Sequence, residues 1–181
     1  MNFAIIGASG NVGRKIIEIL EKSKISFNDL YLVASKKSTG KKIKFREKEI
    51  EIENLDNYDF SKAQITIFAA GSNIAKEWAP KAAEKTIVID NSSFFRMKEN
   101  IPLVVPEVNP EALGKHENII AKPNCSTMQM VLVLKPLHDE YKIKRVIVST
   151  YQAVSGAGKE AMDELFDQTK NFLDKKDIVS K

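Results

Sequence analysis

Short apolar runs alternate along this chain with stretches in which apolar residues return every three or four positions, the pattern of a parallel sheet covered by helices. Phe3–Ile6 reads as a buried strand, and Val12, Ile16, Ile19 and Leu20 recur at helical spacing from Asn11 to about Glu21. Leu30–Ala34 makes a second strand. A lysine-rich turn with Gly40 leads into Ile43–Ile52, whose alternation predicts edge hairpin strands. Next come a strand at Ile65–Ala69, a helix at Asn73–Glu84 and a strand at Ile87–Ile89. Leu103–Pro106 and Ile119–Ala121 read as short strands. A helix runs from Cys125 to about Tyr141, with a bend expected at Pro136, because proline removes a helix hydrogen bond. Arg145–Tyr151 is strongly β-branched and reads as a strand. Gly156-Ala157-Gly158 then leads into a polar helix, Lys159–Leu173. Its Met162, Leu165, Phe166 and Leu173 form an apolar stripe that needs a partner surface, so self-association of the isolated chain is expected.

With 181 residues the chain is one generous domain, or one domain and the start of another. The candidate boundary lies near Cys125–Ser126. It separates a first domain over residues 1–125 from residues 126–181, a unit too small to bury a core of its own. At 43% hydrophobic and 29% charged, the composition is that of an ordinary globular protein. The net charge of +4 is spread along the chain except at Lys36-Lys37 and Lys41-Lys42. That argues against nucleic acid as a partner, which needs a concentrated basic stripe. A single cysteine excludes an internal disulfide and is compatible with a reducing compartment. No membrane span and no signal peptide are read, and a cytoplasmic protein without a metal site is expected.

Two segments carry candidate chemistry. Gly7-Ala8-Ser9-Gly10-Asn11-Val12-Gly13 joins the first strand to the first helix. Glycines there permit a tight turn and a close approach of backbone to a pyrophosphate seated on the helix N-terminus. The spacing is GxxGxxG, a weak signal alone, and the strand–turn–helix context strengthens it. The second strand ends in Ala34-Ser35-Lys36-Lys37-Ser38, without the Asp or Glu that would bond a ribose 2′-hydroxyl. Cations and hydroxyls suit a 2′-phosphate, so NADP is the expected cofactor. Cys125 is the other segment's centre. It stands at the start of a helix, where unpaired N–H groups and the positive end of the macrodipole favour negative charge on sulfur.

Taken with these, the strings Ala70-Gly71-Ser72, Val88–Ser93 followed by Phe95-Arg96, Leu103–Asn109, Pro123–Thr127 and Ser149–Gly158 give the chain a dense resemblance to the aspartate-β-semialdehyde dehydrogenases. The resemblance implies an α/β fold: a Rossmann-like, mostly parallel sheet with helices on both faces, followed by an incomplete α+β catalytic and dimerisation domain. It implies NADPH-dependent reduction of β-aspartyl phosphate to aspartate semialdehyde and phosphate, on the route to lysine, threonine and methionine. By resemblance Cys125 is the nucleophile that forms an acyl-thioester. Arg96 holds the substrate phosphate, Asn124 helps to shape that anion site, and Gln152 lies beside the reacting carbonyl. Gly7, Ser9, Gly10, Asn11, Val12, Gly13, Ser35, Lys37, Ser38, Gly71, Ser155 and Gly156 fall at cofactor positions. A homodimer is implied for the full-length family member.

The resemblance also places a catalytic histidine, a second substrate arginine and further acidic and lysine residues downstream of Lys181. His116, in a polar turn, and His138, on the helix after Cys125, are read as surface residues and not as substitutes. The isolated chain is therefore expected to be inactive or nearly so. Two other readings are a non-catalytic NADP-binding remnant and an N-acetyl-γ-glutamyl-phosphate reductase, which also reduces an acyl phosphate through a cysteine.

Overall fold

A computed structural model describes residues 1–180 of the chain. Its longer elements follow in the order β1 (Phe3–Ile6), α1 (Asn11–Lys22), β2 (Leu30–Ala34), β3 (Lys42–Phe45), β4 (Lys48–Asn54) and β5 (Ile65–Phe68). Then come α2 (Ser72–Ala83), β6 (Ile87–Asp90), β7 (Ile119–Ala121), α3 (Cys125–Tyr141) and α4 (Lys159–Leu173). The strands form one seven-stranded sheet in the order β3-β4-β2-β1-β5-β6-β7. Every pairing is parallel except β3 with β4, which is antiparallel.

The burial pattern explains this order. All four residues of β1 are buried, as suits a central parallel strand covered on both faces. Phe3 and Ile5 pack with Leu32, Ala34 and, from α1, Ile17 and Leu20. Ala4 and Ile6 face the other way, onto Val33, Phe68, Val88 and the buried alanines 75, 79 and 82 of α2. Successive side chains of one strand thus feed two cores, which puts α1 and α2 on opposite faces of the sheet. β3, at the edge, alternates exposed and buried residues, the half-buried pattern of an antiparallel hairpin.

From β1 the chain runs outward to β2 and β4, then returns to β5, β6 and β7 on the other side of β1. The strand order therefore reverses between β1 and β5. Ligands of open α/β sheets bind in the crevice outside the carboxyl ends of the strands at such a point.

Two expected strands differ. Leu103–Pro106 makes a single parallel bridge, Leu103 to Ala121, with Val104 N–H donating to Ala121 O at 2.9 Å. Arg145–Tyr151 forms no ladder among the described residues, and Val146, Ile147, Val148 and Tyr151 are exposed. β-branching favours an extended backbone, but a strand exists only where a neighbour takes its hydrogen bonds. α3 continues through Pro136. The chain divides into two compact units, one over Met1–Val146 and the other beginning at Ile147.

Candidate functional site

The glycine turn lies at the carboxyl end of β1, beside the point where the strand order reverses. It is closed by backbone: Gly7 and Ala8 N–H both donate to Val33 O, at 2.8 and 3.1 Å, and Gly10 N–H donates to Gly7 O at 3.0 Å. Gly7 has φ +85°, and a Cβ there would come within 2.8 Å of Ala69 O. A Cβ on Gly13 would come within 2.3 Å of Gly7 O, so any side chain at either position would force the turn apart. The N-caps of α1 and α2 are Gly10 and Gly71, and neither helix start has a side-chain cap or an acidic residue in its first turn. A turn that excludes side chains at Gly7 and Gly13, carries no negative charge and opens at two helix starts fits a dinucleotide pyrophosphate.

Ser9, Gly10, Asn11 and Val12 stand at the surface or near it around this turn. Ser35, Lys37 and Ser38 follow β2 in a short 3-10 turn on the same edge of the sheet, with Ser38 N–H donating to Ser35 O at 2.8 Å. The charges here are those of the Lys36 and Lys37 side chains, both exposed.

The loop after β6 is built around a buried carboxylate. Asp90 is fully buried, its Oδ1 accepting from Ser92 N–H at 3.0 Å and its Oδ2 from Ser92 Oγ at 2.6 Å. Burial raises the Asp90 pKa above the usual carboxylate range, while the Ser92 hydrogen bonds and the charge of Arg96 work against that rise. Asn91 Nδ2 donates to Phe68 O at 3.0 Å, which ties the loop to the end of β5. Ser93 Oγ lies 3.0 Å from Ser72 Oγ at the start of α2.

Arg96 crosses this loop. Its Nε donates to Lys122 O at 3.0 Å and its Nη2 to Asn91 O at 3.2 Å. Two of the five guanidinium donors thus fix the plane of the group, and they tie the β6 loop to the short link between β7 and α3. Cys125 is the first residue of α3 and is exposed. Asn124 caps the helix, its Oδ1 accepting from Ser126 N–H at 3.0 Å, from Ser126 Oγ at 2.6 Å and from Cys125 Sγ at 3.9 Å. Arg96, Asn124 and Cys125 therefore stand within one backbone neighbourhood, at the same sheet edge as the glycine turn.

Lys122 belongs to that neighbourhood, although the sequence reading passed over it. Its pKa is lowered, first by burial, with Cys125 pulling it up and Arg96 pushing it further down. The only signal was a lysine directly before Pro123-Asn124-Cys125, and nothing in the spacing distinguishes it from the many surface lysines. Asp90 and Asn91 were visible as part of a family string but without a task. Gln152, Ser155 and Gly156 lie in the second unit, where residues 154–157 make a 3-10 turn and all three residues are exposed.

A mostly parallel sheet with a glycine turn at the end of β1, and a cysteine at a helix start on the same edge, defines a dinucleotide-binding α/β protein with a candidate thiol nucleophile. Residues 2–116 match the family model for the semialdehyde dehydrogenase NAD binding domain, and residues 134–180 match the semialdehyde dehydrogenase dimerisation domain. The chain belongs to the semialdehyde dehydrogenase family. The aspartate-semialdehyde dehydrogenase of Rickettsia bellii is 51% identical over 173 residues, covering 94% of this chain and 51% of that protein. The crystal structure of aspartate semialdehyde dehydrogenase II from Vibrio cholerae, complexed with ASA, aligns with a TM-score of 0.91 at 45% identity, covering 99% of this chain and 55% of that one. The enzyme from Candida albicans, solved with NADP, aligns with a TM-score of 0.66 at 26% identity over 77% of this chain and 47% of that one. The chain spans about half the length of the relatives it matches.

Proposed function

We propose that this chain is the cofactor-binding, nucleophile-bearing part of an NADP-dependent aspartate-semialdehyde dehydrogenase. The observation that carries the reading is the tie from Arg96 Nε to Lys122 O, three residues before Cys125. It brings a guanidinium suited to phosphate oxygens into the neighbourhood of a thiol at a helix start. Relatives named as aspartate-semialdehyde dehydrogenases, about half identical over nearly the whole chain, support the choice of β-aspartyl phosphate as substrate.

Cys125 Sγ attacks the acyl carbon, forming the C–S bond as the carbon–oxygen bond to phosphate breaks. Arg96, with Asn124, holds the departing phosphate, and the charge on its oxygens is met by donors already in place. An acyl phosphate is a mixed anhydride with a good leaving group, so expelling phosphate needs a thiolate and an anion site but no strong acid. The glycine turn, with Ser35, Lys37 and Ser38, would hold NADPH, which would supply the hydride that reduces the thioester. Breaking of the C–S bond releases the aldehyde and regenerates Cys125. Gln152, Ser155 and Gly156, all in the second unit, are assigned to the reacting carbonyl and the cofactor by the family resemblance alone. The whole enzyme is a homodimer through the domain that residues 134–180 match.

Neither histidine of this chain serves as general acid or base. His116 Nδ1 accepts from Asn118 N–H at 3.0 Å within its own turn, and His138 sits in the last turn of α3, away from the helix start. A polypeptide limited to these 181 residues therefore forfeits roughly 10²–10⁴-fold in rate. The test is phosphate-dependent NADP⁺ reduction with aspartate semialdehyde. The protein as its natural gene encodes it should turn over if the family's catalytic histidine is present, and the 181-residue chain should bind NADP with negligible turnover. Ordinary dehydrogenase rates from the short chain would contradict the division of labour proposed here.

A further inference from the structure

Lys122 sits in the link between β7 and α3 with its backbone held on both sides. Its N–H donates to Asp90 O at 2.9 Å, and its carbonyl accepts from Arg96 Nε at 3.0 Å. The residue is half-buried, yet no ion pair among the described residues involves it. The charged groups that act on its ammonium are Cys125 and Arg96. Asp90, the carboxylate that feels the charge of Arg96, has both oxygens bonded to Ser92. Arg96 and the half-buried Lys122 are thus held together at the Lys122 carbonyl, and neither makes an ion pair with a carboxylate among the described residues. Such a pair is unfavourable on its own and favourable around an anion that both can reach.

We propose that Lys122 is a second cationic contact for the phosphoryl group of the substrate, working on the same anion as Arg96. The inference rests on the function proposed above and adds a phosphate contact beyond Arg96 and Asn124. Arg96 offers a fixed planar fork whose orientation its two carbonyl bonds set. Lys122 offers a compact ammonium on a flexible stem, with three donors when protonated. Burial disfavours the ammonium form of Lys122, and an anion beside it favours that form. Phosphate binding and protonation of this lysine are therefore linked.

Acetylation by acetic anhydride, mapped by peptide mass spectrometry on the 181-residue chain with and without inorganic phosphate, reads the contact directly. Saturating phosphate should slow labelling of Lys122 roughly tenfold, the scale of a charge-assisted hydrogen bond. Labelling of Lys135, which is ion-paired with Asp139 on α3, should not change. A second measurement compares alkylation of Cys125 by anionic iodoacetate with that by neutral iodoacetamide. Lys122→Gln should lower the iodoacetate-to-iodoacetamide rate ratio, Lys122→Arg should restore it, and Lys135→Gln should leave it unchanged. If phosphate slows iodoacetate at Cys125 while Lys122 labelling stays constant, the anion binds without Lys122 and the inference is overturned. If phosphate affects neither residue, there is no anion site beside the thiol, and the proposed function falls with the inference.

Discussion

The residues before and after Pro123 obey the same periodicity rules and end in different states. Up to Pro123 the elements close around two cores, with Ile5, Leu32, Ile52 and Phe68 wholly buried. Beyond it, α3 and α4 are full helices in which no residue is buried. Leu132, Val133, Leu137, Leu165, Phe166 and Phe172 all stand exposed. The contrast teaches that spacing specifies an element, whereas burial depends on which surface the element meets. Cys125 lies on the seam, at the start of the first helix that packs nothing away.

Substitutions on the two sides should behave very differently, and the sharpest separation is between chemistry and stability at the seam itself. Cys125→Ser should abolish thioester chemistry, lowering turnover of the complete enzyme on the order of 10³-fold or more. It should leave the melting temperature of the 181-residue chain unchanged, since the side chain is exposed. A large loss of stability would show that the thiol is structural. Next in size is a matched pair. Phe68→Ala removes a fully buried ring and should cost about 3–5 kcal/mol by urea denaturation. Phe166→Ser, at an exposed position on α4, should fall within about 0.5 kcal/mol of the parent. Equal effects would erase the contrast between the two regions.

A smaller effect is expected at Gly13→Ala. The added Cβ meets Gly7 O at 2.3 Å, so overpacking should cost about 1–3 kcal/mol and weaken NADP binding, both readable in one thermal-shift titration. The smallest is a pH effect at Asp90. Burial raises its pKa, so the folded chain holds that proton more tightly than the unfolded chain does. Its contribution to stability is complete below the ordinary value of 3.8 and is lost as pH rises from there through the raised folded value. The stability difference between the parent and Asp90→Asn should therefore change across that window and level off above it. A difference independent of pH would mean that Asp90 titrates as it does in the unfolded chain.

Much of the fold was legible because the signals were local. The apolar run Phe3–Ile6, the helical spacing from Asn11 and the alternation of Ile43–Ile52 each correspond to an observed element. The glycine turn was legible at Gly13 for the same reason, since a Cβ there would meet Gly7 O inside the turn, whereas the demand on Gly7 comes from the distant Ala69 backbone. What failed was long-range. Arg145–Tyr151 has the composition of a strand but no described neighbour to pair with, and pairing cannot be read from one segment. Lys122 was missed because its significance depends on Arg96, twenty-six residues away in sequence and joined to it by one hydrogen bond.

The claim on which the rest depends is that Cys125 is acylated at an anion site containing Arg96. Incubating the protein with β-aspartyl phosphate in the absence of NADPH, then locating acyl adducts by peptide mass spectrometry, tests it most directly. The expected result is a hydroxylamine-sensitive adduct confined to Cys125, formed far more slowly after Arg96→Ala and suppressed by inorganic phosphate. Acylation scattered over surface lysines with Cys125 unmodified, or an adduct indifferent to Arg96, would contradict it.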